Sequence, residues 1–129
     1  KMKILLIFSH QLTSEQKLDL ESNWQVKNFL HLPSELQNLW SDIPPERKGL
    51  KDYLVPVFRW MNECGEKGDR ALIQGDYGAV FLTVQQAMHL GLVPLYATTK
   101  RVLIEEKQAD GSVKLVRVFK HVCFRRYGL

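Results

Sequence analysis

Two four-residue segments hold the side chains best suited to chemistry. Gly75-Asp76-Tyr77-Gly78 and Thr98-Thr99-Lys100-Arg101 each follow a short apolar run that reads as a buried strand. The first has two glycines that allow close backbone approach, and the second has two hydroxyls followed by two cations. That combination suits a phosphate. A third loop, Ser9-His10-Gln11, follows the apolar run Lys3–Phe8 and adds a hydroxyl, an imidazole and an amide. An unperturbed histidine titrates close to working pH, so His10 is a candidate proton acceptor, with a plain loop histidine as the alternative.

Each of these residues also has a structural reading. Asp76 either caps the following helix or binds a ribose hydroxyl. Tyr77 either stacks on a base or packs against the C-terminal hairpin. Lys100 and Arg101 are the strongest candidates for anion contacts; the alternative is a charged start to an edge strand. Ser9 and His10 are neighbours whose side chains diverge, which argues against a hydrolase triad. The glycine turn is neither a dinucleotide fingerprint nor a Walker loop. No zinc-type ligand spacing occurs, so neither a metal nor another cofactor is expected.

The elements that must position these loops follow from apolar periodicity. Lys3–Phe8 reads as a central parallel strand covered on both faces. Thr13 and Gln16 form a capping box opening a helix that ends near Asn23. A second strand centres on Val26–Leu30, and Pro33-Ser34 opens a short helix carrying Leu36, Leu39 and Trp40. After Pro44-Pro45, the spacing of Leu50, Tyr53, Leu54, Val57, Phe58 and Met61 predicts a longer helix, with Pro56 implying a kink or a late start. Ala71–Gln74 is the third strand. Helix four leaves the glycine turn with Val80, Val84, Ala87 and Met88 inward, and Val93–Ala97 is the fourth strand.

Alternating strands and helices predict an α/β fold with a mostly parallel, Rossmann-like sheet. Arg101–Lys107 and Val113–Tyr127 flank Ala109-Asp110-Gly111 and read as an antiparallel hairpin at the sheet edge. In a regular last strand, Arg117, His121 and Arg125 share one face with Phe119 and Cys123. Val116, Val118, Val122 and Phe124 share the other, which should be core apart from a snorkelling Lys120. His121 and Arg125 are therefore further candidates for ligand contact. Ligands of parallel α/β sheets collect beyond the strand C-termini, where all three polar loops should converge.

Composition sets outer bounds. A chain of 129 residues with 45% hydrophobic content fills one core comfortably, so residues 1–129 are expected to form one domain. Met2 is the expected natural start. No apolar run approaches the roughly 18 residues a membrane span needs. Cys64 and Cys123 lack a partner motif and read as reduced thiols of a cytoplasmic protein. Residues 1–99 carry 10 Lys/Arg against 11 Asp/Glu, whereas residues 100–129 carry 8 against 3. The basic potential thus lies at the C-terminal end, as a solvated strand face or an anion-binding surface.

The segments KILLIFSHQ (Lys3–Gln11), LQNLWSDIPP (Leu36–Pro45), GDYGA, ATTKR and VFKHVCFR (Val118–Arg125) together resemble the small CRISPR-associated proteins of the Csx ring-nuclease group. The similarity spans nearly the whole chain. It implies a stand-alone CARF-like, Rossmann-like module that binds a cyclic oligoadenylate, most readily cyclic tetra-adenylate, and switches off type III CRISPR signalling. The reaction implied is metal-independent cleavage of a phosphodiester by the neighbouring ribose 2′-hydroxyl. On that resemblance, Lys100 and Arg101 stabilise phosphate charge and His10 transfers a proton. Ser9, Gln11, Gly75, Asp76, Tyr77, Gly78, Thr98 and Thr99 position the substrate. A ligand with rotational symmetry suits a homodimer with the ring on its axis. Neither a membrane nor DNA is an expected partner. A non-catalytic binder that sequesters the ring is the nearest rival, and a single-stranded RNA-binding module using the basic C-terminal sheet is the next.

Overall fold

The computed structural model describes residues Lys1–Leu129 as a mixed α/β fold built on one five-stranded sheet. The strands are β1 (Lys3–Ile7), β2 (Asn28–His31), β3 (Arg70–Ile73), β4 (Val93–Lys107) and β5 (Val113–Arg126). Their spatial order is β2-β1-β3-β4-β5, parallel through β4, with β5 antiparallel to β4. The helices are α1 (Ser14–Asn23), α2 (Ser34–Ser41), α3 (Val55–Cys64) and α4 (Tyr77–His89).

Strand alternation explains why β1 is apolar throughout. Ile4 and Leu6 point to a cluster with Leu20 of α1, Val26, Leu72, Leu95 and Phe124. Leu5 and Ile7 point the other way, to Trp40, Val57, Met61, Ala79 and Ala87 from α2, α3 and α4. Both faces are covered, so neither can be polar. The chain moves outward from β1 to β2, then crosses back past β1 to β3, and this reversal opens a switch point between β1 and β3. No helix is long and apolar enough to cross a membrane.

The local signals behave as their chemistry requires. Thr13 and Gln16 exchange both bonds of a capping box, at 3.0 and 3.2 Å, and α1 ends at Asn23. Pro56 falls in the first turn of α3, where its missing N–H costs nothing; the helix starts late, with Tyr53 and Leu54 in the turn before it and Leu50 ahead of that turn. Two expectations need correction. On α4, Ala79, Thr83 and Ala87 are fully buried, because small residues let the helix sit close to the sheet; Val80 and Val84 pack half-buried against the same core as expected, whereas Met88 is 48% exposed. The fourth strand and the first hairpin strand are one continuous 15-residue β4.

At the opposite end of the sheet, Asp69 is 4% exposed and accepts from Lys3 Nζ at 2.9 Å and from the backbone N–H groups of Lys3 and Glu66. Burial pushes its carboxyl up, but these donors outweigh burial and hold it below the usual aspartate range. A depressed folded-state pKa contributes stability above the unfolded value and loses it as pH falls through the folded one. Asp69→Asn is therefore expected to lower unfolding free energy by about 2 kcal/mol at pH 7 and to flatten the loss of stability below about pH 4. Urea titrations across that range measure both effects; an unchanged acid limb would refute the assignment.

Candidate functional site

The C-terminal end of β1 is held by α2. Gln37 Nε2 donates to the Phe8 carbonyl at 2.9 Å, and the Ser41 hydroxyl donates to Ser9 Oγ at 3.0 Å. Ser9, His10 and Gln11 are exposed and line a depression of about 380 Å³ with His31 and Ser34. His31 ends β2 and brings a second imidazole to the same hollow. Sequence inspection misses it because it closes an apolar strand run.

The C-terminal end of β3 is built around Trp40. The indole Nε1 donates to the Gln74 carbonyl at 2.9 Å, and Trp40 is only 2% exposed, so α2 plugs the crevice at the switch point. Gly75 exists because of that plug: a Cβ there would lie 2.8 Å from Trp40 Nε1 and 3.2 Å from Cε2. Gln74 Oε1 accepts from Ala97 N–H at 2.6 Å, which ties the β3 loop to β4 just past their parallel pairing. Asp76 is the N-cap of α4, with Oδ2 accepting from Ala79 N–H at 3.0 Å. One donor at the helix start is thereby satisfied, while the first-turn N–H groups of Tyr77 and Gly78 have no intrahelical acceptor.

Two concavities meet at this turn. One, of about 350 Å³, is bounded by Gly75, Tyr77, Tyr96 and Tyr127. Tyr77 is 96% exposed, and Tyr96 and Tyr127 pack with ring centroids 4.7 Å apart. Burial, then the neighbouring Tyr96, pushes the Tyr127 phenol up, so it stays neutral and donates to the Ile73 carbonyl at 2.7 Å. The other, of about 840 Å³, runs from Gly78 past Arg47, Lys48 and Lys51. None of these cations forms a salt bridge. A Cβ on Gly78 would make only ordinary 3.5 Å contacts, so its bare backbone serves no internal close approach and faces this hollow. The cluster Arg47, Lys48 and Lys51 follows Pro44-Pro45, where periodicity reads only a helix start; three cations within five residues were the available signal.

The structure separates residues that adjacency in sequence groups together. Tyr96, Thr98 and Lys100 fall on the face of β4 that bears α4, whereas Ala97, Thr99 and Arg101 fall on the face that bears α1. Lys100 thus shares a face with the tyrosine hollow, and Arg101 lies over the Phe119 ring at 5.3 Å on the other side. The Thr98 hydroxyl accepts from Cys123 N–H at 3.2 Å and donates to the Cys123 carbonyl at 3.1 Å, so its bonds secure the sheet.

A bulge beside that staple corrects the expected facing of β5. Thr98 pairs with Cys123 but Thr99 pairs with His121, leaving Val122 unpaired. His121 and Phe124 consequently share the α1 face, with rings 4.7 Å apart, rather than opposite faces. His121 Nε2 lies 2.7 Å from Asp19 Oδ2, and its side chain is 7% exposed; it anchors β5 to α1. Arg125 stacks over Tyr96 at 5.2 Å on the other face. Val116 and Val118 are half-exposed and Val122 is 56% exposed, so only Phe124 of the expected apolar face is core. No group of three or more His, Cys, Asp or Glu side chains converges as a metal site.

These features define an α/β protein with polar loops, a tyrosine hollow and free cations gathered beyond the C-terminal ends of its parallel strands. The family described as the "Uncharacterized protein MJ1673 family" matches residues 2–125. The chain belongs to that family. It is 42% identical over 125 residues to "Uncharacterized protein MJ1673" of Methanocaldococcus jannaschii, covering 97% of this chain and 96% of that protein. No solved structure matches.

Proposed function

We propose that this protein is a ring nuclease: it binds a cyclic oligoadenylate across the C-terminal edge of the sheet and cleaves it without a metal. The finer fold reading goes with it, a Rossmann-like, CARF-like module of β2-β1-β3-β4-β5 order; because Trp40 fills the switch point itself, the ligand lies in this reading beside it, over the end of β3 and the neighbouring part of β4. The observation that carries the reading is the meeting, at one turn, of a tyrosine hollow sized for a base with unpaired helix N–H groups and free cations suited to phosphate.

Under this reading an adenine stacks among Tyr77, Tyr96 and Tyr127, and the adjoining phosphate meets the start of α4 and Lys100. The ribose 2′-oxygen attacks phosphorus in line, the bond to the 5′-oxygen breaks, and a 2′,3′-cyclic phosphate forms. His10 accepts the 2′-hydroxyl proton, and the departing 5′-oxygen takes up a proton from solvent water. The nucleophile belongs to the substrate, so the protein's work is alignment and charge stabilisation. Support for this reading is chemical fit together with the Csx-like segments; the cytoplasm is the compartment where such a signal would be met.

One observation favours the rival, a non-catalytic sponge: His10 is exposed and no side chain hydrogen-bonds to it, so nothing orients it as a base. Excess labelled cyclic tetra-adenylate incubated with the protein in EDTA separates the two. Many linear products per protomer are expected; stoichiometric retention of intact ring would leave the sponge, and no binding would sink both.

A further inference from the structure

The hollow of about 840 Å³ lies between the Ile43–Asp52 segment and the first turns of α4, and its volume suits a small-molecule site. Ile43 and Leu50 pack half-buried against the core, so the residues between them are held rather than loose. Leu50 Cδ1 lies 3.5 Å from where a Cβ of Gly78 would be, which seats the segment over the start of α4. Lys100 does not line this hollow.

Its walls carry three kinds of group. Arg47, Lys48 and Lys51 are exposed cations without a salt bridge. The Arg47 guanidinium lies 5.3 Å over the Tyr53 ring and its Nε donates to the Gly49 carbonyl at 3.4 Å, so the side chain is placed while both terminal nitrogens stay unpaired. Tyr53 is itself anchored, donating to the Leu39 carbonyl at 2.5 Å. Two carboxylates, Asp52 and Asp76, face the same space; Asp76 spends Oδ2 on the Ala79 N–H, and neither joins a salt bridge. The third kind is aromatic. Phe81, one helical turn beyond Tyr77, lines the hollow at 63% exposure, an apolar ring left in water beside charged groups.

The combination selects a ligand more narrowly than any one group does. A bare anion would meet two carboxylates along with the cations. A magnesium-bound polyphosphate removes that conflict, because its outer oxygens suit Arg and Lys while its metal takes one or two carboxylates in addition to phosphate oxygens. A free aromatic face beside the phosphates suits a base, which stacks on it whatever its sequence. We propose that this hollow binds a nucleoside polyphosphate as its magnesium complex. The base lies on Phe81, the phosphates meet Arg47, Lys48, Lys51 and the Gly78 N–H, and Asp52 and Asp76 face the metal. The site shares the α4 turn with the ring reading but does not rest on it: ring cleavage there uses Lys100 and no metal, whereas the nucleotide requires magnesium and the Arg47–Lys51 cations.

Isothermal titration with ATP and magnesium at about 0.15 M salt is expected to show one site per chain with a dissociation constant below about 1 mM. Magnesium tripolyphosphate and adenosine, which each lack part of the ligand, are expected to bind about tenfold more weakly or worse, and EDTA to weaken ATP by a similar factor. Lys48→Ala combined with Lys51→Ala should weaken ATP about tenfold or more. Phe81→Ala should bring ATP to the level of tripolyphosphate, and Lys100→Ala should leave ATP binding unchanged, each variant keeping wild-type circular dichroism. Absence of ATP binding at about 1 mM overturns the proposal. So does tripolyphosphate binding as tightly as ATP, binding undiminished in EDTA, or binding that is lost with Lys100 and kept without Lys48 and Lys51. Ring turnover in EDTA, read separately on the same samples, shows whether the functional reading stands or fails on its own.

Discussion

Trp40→Ala is expected to lower the unfolding free energy by about 3–5 kcal/mol, the range for truncating a buried tryptophan. Two losses combine. The indole fills the crevice between β1 and β3, so its removal leaves a cavity under the candidate site, and the Gln74 carbonyl loses the donor at 2.9 Å. Trp40→Phe separates these contributions, because it keeps much of the volume and loses only the hydrogen bond; about 1–3 kcal/mol is expected. Gly75→Ala presses on the same indole from the other side, since no rotamer of a methyl avoids the 2.8 Å contact. Chemical denaturation measures all three. A Trp40→Ala variant within 1 kcal/mol of wild type would show that the plug is not structural.

Lys100→Ala is expected to reduce ring turnover by about 10²–10³-fold, the usual effect of removing one donor to a developing oxyanion. Lys100 is exposed and pairs with no carboxylate, so stability should stay within about 0.5 kcal/mol. Arg101→Ala is expected to act less strongly, because Arg101 lies over Phe119 on the opposite face of the ribbon. Single-turnover rates and ring affinity, measured together, distinguish lost charge stabilisation from lost binding. Equal rates for wild type and Lys100→Ala would remove Lys100 from the site, and a larger effect from Arg101 would move the phosphate to the α1 face.

Much of the fold is legible in local chemistry. Apolar runs mark β1, β3 and the start of β4, because strands covered on both faces have no polar side. The Thr13–Gln16 capping box fixes the start of α1, and Pro56 delays α3. Two of the candidate loops are legible for the same reason: Ser9-His10-Gln11 and Gly75–Gly78 are polar punctuation at the ends of apolar strands, whereas Thr98–Arg101, read as a third loop, runs on within β4. Periodicity is weaker where packing is set by small residues, as on α4, where Ala79 and Thr83 face inward and Met88 does not. It is blind to turns such as the Pro44–Lys51 segment, whose cations acquire meaning only beside Gly78.

By itself, then, the amino-acid sequence determined where the apolar strand runs lie, the start of α1 and the polar loops that end β1 and β3, all of which depend on residues within a few positions of one another. The tertiary structure alone decided which side chains those loops could share. The Val122 bulge turns His121 toward Asp19, 102 positions away, and removes it from the ligand edge. The uninterrupted run of β4 sends Lys100 and Arg101 to opposite faces, and the crossing order of the strands places Trp40 in the crevice between β1 and β3. Register, bulges and strand order arise from contacts between distant segments, and local periodicity carries no record of which segment will be the partner.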